Sequence, residues 1–335
     1  MPIDIPLVGR VLTAAVSGPS NPSPSRRVGS IRRTSTLNMD WPNGLEASGR
    51  VRGRARDLLT SALDARIITD DVLVATVGAG RVYESLFTFP DRPALQSVVG
   101  LARPGNSWSA VSALIPEERE AGTPLYLLLD DLPAIALVSG QVMIEWLSPE
   151  ERHKRNGSAR QRSVVGICSG YSPGSPALDA DGGVRTIQQV QAIGPLTDEA
   201  DPKAWHALQP ETSEPEMRRA RRIDVWTDDV MHIDAFFQDS CTTPSGVRVA
   251  VHEYTIAATA DPDTGVLLTV QAEPRVLPFD SCPAAAGNVD RMVGVPLSQF
   301  RSAVLERLPG TLGCTHLSDA LRALAEVPVM ARLIG

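Results

Sequence analysis

The pattern of apolar and polar positions changes from strand-like to helix-like within the C-terminal part of the chain. Residues 247–257 and 266–276 are rich in β-branched side chains, and the run Asp261-Pro262-Asp263-Thr264-Gly265 separates them. Aspartate, proline and glycine are typical of tight turns. The pattern therefore predicts a β-hairpin.

Helical periodicity follows this hairpin. Phe300, Val304 and Leu308 recur every four residues, which places them on one face of a helix that Pro309-Gly310 would end. A second apolar stripe is formed by Leu317, Leu321 and Leu324. Strands followed by helices indicate the α+β class.

Similar landmarks recur in the same order in the two halves of the chain. Arg32-Arg33 in the first half corresponds to Arg221-Arg222 in the second, and Gly122-Thr123 corresponds to Gly310-Thr311 at nearly the same spacing. This repetition predicts two tandem copies of one strands-then-helices module. The alternative is two unrelated α+β domains that share turn chemistry.

Composition shifts divide the chain further. Residues 1–30 are rich in Pro, Ser and Gly and predict a flexible N-terminal arm. Residues 31–148 form the first copy, residues 149–216 a linker or irregular segment, and residues 217–335 the second copy. The Gly- and Pro-rich middle segment is the natural boundary between two domains.

Charge and composition exclude several classes of partner. The net charge of -7 repels nucleic-acid backbones, and the aromatic content of 4% is too low for base-stacking platforms. We expect no membrane span, because no run approaches the ~18 apolar residues that a spanning helix needs. The expected partner is an unknown small molecule or protein, and the expected location is the cytoplasm.

Cysteine and histidine residues gather in the second copy. Cys282 precedes Pro283 and should lie at a helix N-terminus, which favours the thiolate. Cys314 and His316 open the last helix, and His252 lies early in the hairpin. Two thiolates and two imidazoles suit zinc or iron, so we predict a metal site of His252, Cys282, Cys314 and His316.

The first copy lacks these ligands and is degenerate in that sense. Tyr126 stands where Cys314 is, and Leu128 stands where His316 is. The scaffold therefore does not require the ligands, and their presence in the second copy indicates a function. Against this, buried cysteine and histidine are often structural residues.

The second copy also resembles a known family. His252-Glu253-Tyr254, Cys282-Pro283, Met292-Val293-Gly294 and Gly313-Cys314-Thr315-His316-Leu317 resemble the bacterial domain of unknown function 2889 family over about residues 220 to 330. That resemblance implies no known activity. A more distant resemblance to iron–sulfur scaffold proteins of the NifU and SufE type would map Cys282 and Cys314 onto scaffold cysteines. His252 and His316 depart from the scaffold pattern and favour a single-metal site.

Three functions follow from these observations. The first is a cytoplasmic metal-binding protein with a Cys/His site in the second copy. The second is a thiol-dependent enzyme in which Cys314 is a nucleophile activated by His316 or His252. The third is a non-catalytic interaction module. The sequence predicts neither a substrate nor a catalytic mechanism.

Overall fold

The structure is a computed structural model, and it describes residues 16–100, 113–156, 163–180, 183–184 and 189–334. It contains both an antiparallel sheet and helices, which agrees with the α+β class. The strands within the described residues are β1 (Ser30–Asp40), β2 (Gly49–Thr60), β3 (Ala65–Val77), β4 (Tyr83–Phe89), β5 (Gln191–Ala192), β6 (Glu216–Thr227), β7 (Met231–Thr242), β8 (Arg248–Ala260) and β9 (Leu267–Val276).

The helices in the same ranges are shorter and follow the strands of each half. The α-helices are α1 (Pro116–Ala121), α2 (Pro124–Val138), α3 (Gly140–Trp146), α4 (Pro149–Asn156), α5 (Phe300–Arg307), α6 (Thr315–Ala323) and α7 (Val327–Ala331). The 3-10 segments are Ala79–Arg81, Pro93–Val98, Ser169–Tyr171, Cys282–Met292, Leu297–Gln299, Gly310–Leu312 and Leu324–Glu326.

One sheet runs through both halves of the chain. Its order is β4-β3-β2-β1-β6-β7-β8, and both β5 and β9 pair with β8 along different stretches. The two central strands pair antiparallel from Ser30 opposite Trp226 to Asp40 opposite Glu216. Each half thus contributes four consecutive antiparallel strands and then helices. That the halves arose by duplication stays a prediction.

The hairpin expected in the second half is present. Strands β8 and β9 pair antiparallel around the turn at Asp261, whose side chain accepts a 2.7 Å hydrogen bond from the Thr264 amide. The stretch after β9 differs from expectation, because Cys282–Met292 is 3-10 helix rather than α-helix. Pro283 and Gly287 lie inside it, and both residues are poor α-helix formers.

Helices cover one face of the sheet, and the other face is covered by residues from the N-terminal and middle segments. The indole of Trp205, which is 2% exposed, donates a 2.9 Å hydrogen bond to the Ser23 hydroxyl. Arg26 forms a salt bridge with Asp201 at 2.8 Å. The described part of the predicted flexible arm, residues 16–29, therefore contacts the middle segment and strands β8 and β9, whereas residues 1–15 lie outside the described residues.

One apolar helical stretch needs separate mention. Among the described residues, Pro124–Trp146, which spans α2 and α3, is the one stretch long and apolar enough to cross a membrane. This is weak evidence for a span, because a core helix passes the same test and the most apolar window is 61% buried. Asp131 within it forms salt bridges with Arg219 and Arg221 on the sheet. We expected no stretch of this length and apolarity, and Pro124–Trp146 is such a stretch, most of which is buried.

His206 anchors the middle segment to the central strand β1. Its ring is 2% exposed, with Nδ1 2.9 Å from the Thr34 hydroxyl and Nε2 2.8 Å from the Thr36 hydroxyl. Burial lowers the pKa of His206 to about 3, and the nearby Arg56 and Arg54 add to this effect. The folded protein therefore holds a neutral imidazole at this position.

We predict that His206 makes the protein less stable as the pH falls. Below the ordinary histidine pKa of ~6.5, the His206 imidazole is protonated in the unfolded chain and stays neutral in the folded chain. This difference in proton binding lowers the free energy of unfolding by roughly 3 kcal/mol between pH 7 and pH 4. The His206→Gln variant should show a pH dependence smaller by this amount while being less stable at pH 7. Urea denaturation across this range, with a chelator present, measures it. An unchanged slope in the variant would contradict the assignment.

Candidate functional site

The pairing register of three strands places charged and imidazole groups in one row. Arg219 on β6 lies opposite Asp239 on β7, and Asp239 lies opposite His252 on β8. Residues directly opposite in an antiparallel sheet share a face, so the three side chains are neighbours. The register between β7 and β8 shifts just after Asp239, and such irregularities often re-aim side chains beside functional sites.

Helix α6 brings a second histidine onto this row. Cys314 is the residue before the helix, and its carbonyl accepts a 2.7 Å hydrogen bond from the amide of Ser318 in the first turn. Leu317 and Leu321 are buried and hold the helix against the core. His316 and Asp319 are three residues apart and share the face that meets the sheet.

Two imidazole rings and one carboxylate meet at this point. The rings of His252 and His316 stack with centroids 3.4 Å apart and an interplanar angle of 15°. Nε2 of His316 lies 3.8 Å from a carboxylate oxygen of Asp239. Each of the three residues offers a ligand atom, and these atoms all lie within 4.8 Å of one another. Asp239 is fully buried, while both histidines are partly exposed.

Buried ion pairs surround the three residues. Arg219 binds Asp239 through two hydrogen bonds of 2.8 and 2.9 Å and reaches Asp131 and Asp319 at 3.0 Å each. Arg221 binds Asp131 through bonds of 2.5 and 2.6 Å. Arg322 also reaches Asp319, at 3.4 Å, so three guanidinium groups face these three carboxylates beside the histidines.

The surroundings keep both imidazoles neutral. Burial, reinforced by Arg219 and Arg221, lowers the pKa of His316 to about 3. Burial and the adjacent His316 ring lower the pKa of His252 well below its ordinary value. A neutral imidazole carries a free lone pair, which is the form that binds a metal ion.

One atom of the site has no hydrogen bond. Nδ1 of His252 is buried and has no hydrogen-bond partner among the described residues. A buried nitrogen left unpaired costs about 1–3 kcal/mol. Most buried polar groups in folded proteins are paired, so an orphan atom next to two other ligand groups calls for an explanation.

The predicted cysteines lie close to this group but outside it. The sulfur of Cys314 is 3.9 Å from Nδ1 of His316, so these two predicted ligands are neighbours. Cys282 is absent from the group of ligand atoms that converge within 4.8 Å. Burial raises the pKa of Cys314 to about 11 and that of Cys282 far above its ordinary value. The expectation that the position of Cys282 favours the thiolate is therefore wrong, because burial outweighs any effect of the helix end.

Sequence reasoning missed two residues that the fold brings to this region. Asp239 was not predicted as a ligand, because its position opposite His252 depends on strand register. Cys168 lies in the middle segment and reaches the second half only through folding. Residue spacing along the chain gives no signal for either position.

The comparisons with known proteins agree with the resemblance of the second half. Residues 217–330 match the family described as protein of unknown function, DUF2889. The matched segment contains Asp239, His252, Cys282, Cys314 and His316, and it does not contain Cys168. No curated protein and no solved structure matches the chain. The likeness to iron–sulfur scaffold proteins therefore stays a prediction.

We predict that the ion pairs beside the site are essential for stability. The Asp131→Asn variant leaves the buried Arg221 without this carboxylate, so the free energy of unfolding should fall by about 3–5 kcal/mol. Asp70→Asn is the matched control, because Asp70 pairs with the partly exposed Arg54 and should cost less than about 1 kcal/mol. Chemical denaturation measures both variants. Equal losses would contradict the importance of the buried pairs.

Proposed function

We propose that the protein binds a metal ion, zinc or iron, through Asp239, His252 and His316. The observation that carries this proposal is the unpaired, buried Nδ1 of His252 beside a second imidazole and a carboxylate. A bound ion would satisfy this orphan atom. The same ion would explain why two neutral imidazole rings are packed face to face.

The ligand set fits these two metals. Zinc sites with three protein ligands and one open position often support catalysis, and two histidines with one carboxylate are the usual ligands of non-haem Fe(II). The stacked rings do not point their nitrogens at one centre, so binding requires the imidazoles to turn about their side-chain bonds. Cys314, 3.9 Å from His316, lies beside this ligand set and outside it.

The charges around the site are compatible with a cation. Arg219 occupies Asp239, and a guanidinium close to a ligand opposes cation binding. Asp131 and Asp319 offset that effect, because together with Asp239 they balance the charges of Arg219, Arg221 and Arg322. The ion would thus enter surroundings whose fixed charges balance.

The first half supplies an internal comparison. Arg33 lies opposite Asp57, and Asp57 lies opposite Thr69, so the row in that half repeats the arginine and the aspartate. Thr69 stands where His252 does, and Leu128 stands where we aligned His316. If the halves arose by duplication, the arginine–aspartate pair is part of the scaffold. The two histidines are then additions that the fold does not need.

A cytoplasmic setting agrees with the state of the cysteines. All four lie in described parts of the chain and are free thiols. Disulfides are rare in reducing compartments. The high pKa of Cys314 argues against the thiol-enzyme alternative, because the attacking species is the thiolate. We propose a small molecule or protein as the partner of the metal site.

We predict that protein purified without an affinity tag carries about one equivalent of zinc or iron per chain. His252→Gln and His316→Gln should each lower metal affinity by roughly 100-fold or more, since loss of even an indirect contact to a metal costs 10–100-fold. Elemental analysis after dialysis, with competition against a chelator, measures this.

His232→Gln is the matched control. His232 also contacts a carboxylate, Asp228 at 2.9 Å, but it stacks on Trp226 and has no second imidazole beside it. This variant should keep the full metal content. A wild-type protein that binds no transition metal would refute the proposal, as would a His252→Gln, His316→Gln double variant that retains it.

A further inference from the structure

Three cysteines from distant parts of the chain meet beside the helix that carries His316. Ser169, which follows Cys168, is the residue that joins them. Its amide donates a 2.8 Å hydrogen bond to the carbonyl of Gly313, the residue before Cys314. Its hydroxyl donates a 3.1 Å hydrogen bond to the carbonyl of Cys282. One buried serine thus fixes the backbone at all three cysteines.

Gly170 leaves room for two of the sulfur atoms. A side-chain carbon on this residue would lie 2.7 Å from the sulfur of Cys282 and 3.7 Å from the sulfur of Cys168. The first distance is shorter than any real contact, so a larger residue would push Cys282 away. The absence of a side chain at Gly170 therefore keeps a space that the two sulfurs share.

We propose that Cys168, Cys282 and Cys314 form a second metal site, which takes a soft, thiophilic ion of the Cu(I) type. Three thiolates are ligands that such ions prefer over harder cations. Binding forms three metal–sulfur bonds, breaks three S–H bonds and passes three protons to the solvent, with no change in oxidation state. The three sulfurs are not all within 4.8 Å of one another in this structure, so binding requires them to rotate about their Cα–Cβ bonds.

Cys241 shows what a structural cysteine looks like in the same half. It is fully buried within strand β7 and packs in the core of the first half. Cys168, in contrast, is the residue before the 3-10 segment Ser169–Tyr171, and it is 9% exposed and close to the half-buried Tyr171. An ion can therefore approach Cys168 from the surface without unfolding the sheet. Cys241 is the internal control for any thiol measurement.

The test uses the full, reduced chain under anaerobic conditions, with Cu(I) as the probe and a coloured Cu(I) chelator as the competitor. The wild type should bind one equivalent, show a thiolate-to-metal absorption band and release protons. Cys168→Ser should weaken binding by about 100-fold or more, on the same reasoning as for the histidine ligands. Cys241→Ser should bind like the wild type.

Two further variants separate the possible outcomes. Gly170→Ala keeps all three thiols and should weaken Cu(I) binding at least tenfold, which tests the site even if a cysteine variant folds poorly. The His252→Gln, His316→Gln double variant should retain Cu(I) while losing zinc or iron. Unchanged affinity in Cys168→Ser or in Gly170→Ala would overturn the three-thiol site. Loss of Cu(I) in the histidine double variant, with retention in Cys168→Ser, would also overturn it and leave the histidine site standing.

Discussion

The need of buried arginines for carboxylate partners governs how this protein is assembled. The two central strands carry Arg33 and Arg221, which are 1% and 3% exposed. A buried guanidinium group stays protonated, so each of these arginines requires a carboxylate nearby. Arg33 contacts Glu326 from the second half, whereas Arg221 contacts Asp131 from the first half. Each half thus neutralises a charge that belongs to the other.

The candidate metal site also depends on these arginine–carboxylate pairs. Arg219 holds the carboxylate of Asp239 in a two-point contact, and Asp131 from helix α2 holds Arg219 in turn. Burial alone would raise the pKa of Asp131, but Arg221 and Arg219 outweigh it and keep the pKa below its ordinary value. A ligand group in the second half is therefore oriented through a helix of the first half.

Local features of the fold could be predicted, and long-range features could not. The turn at residues 261–265 and the stripe of Phe300 and Val304 are short-range signals, and both elements exist. The pairing of β1 with β6, however, joins residues almost 200 positions apart and leaves no periodicity that a sequence pattern reveals. Of the predicted ligands, His252 and His316 meet because helix α6 packs against strand β8. Asp239 and Cys168 escaped notice because register and loop placement, not residue spacing, bring them there.

The pairing of β1 with β6 has a consequence for the growing chain during its synthesis on the ribosome. Strand β6 begins about 180 residues after β1 ends. At a synthesis rate of ~5–20 residues per second, one edge of β1 therefore has no partner strand for roughly 10–35 s. An open strand edge normally invites pairing with another chain. During this time the arginines of β1, which are buried in the folded protein, are solvated charges. Charged side chains on an exposed strand edge discourage pairing with another chain. Groups that stabilise the finished protein would thus also protect its unfinished form.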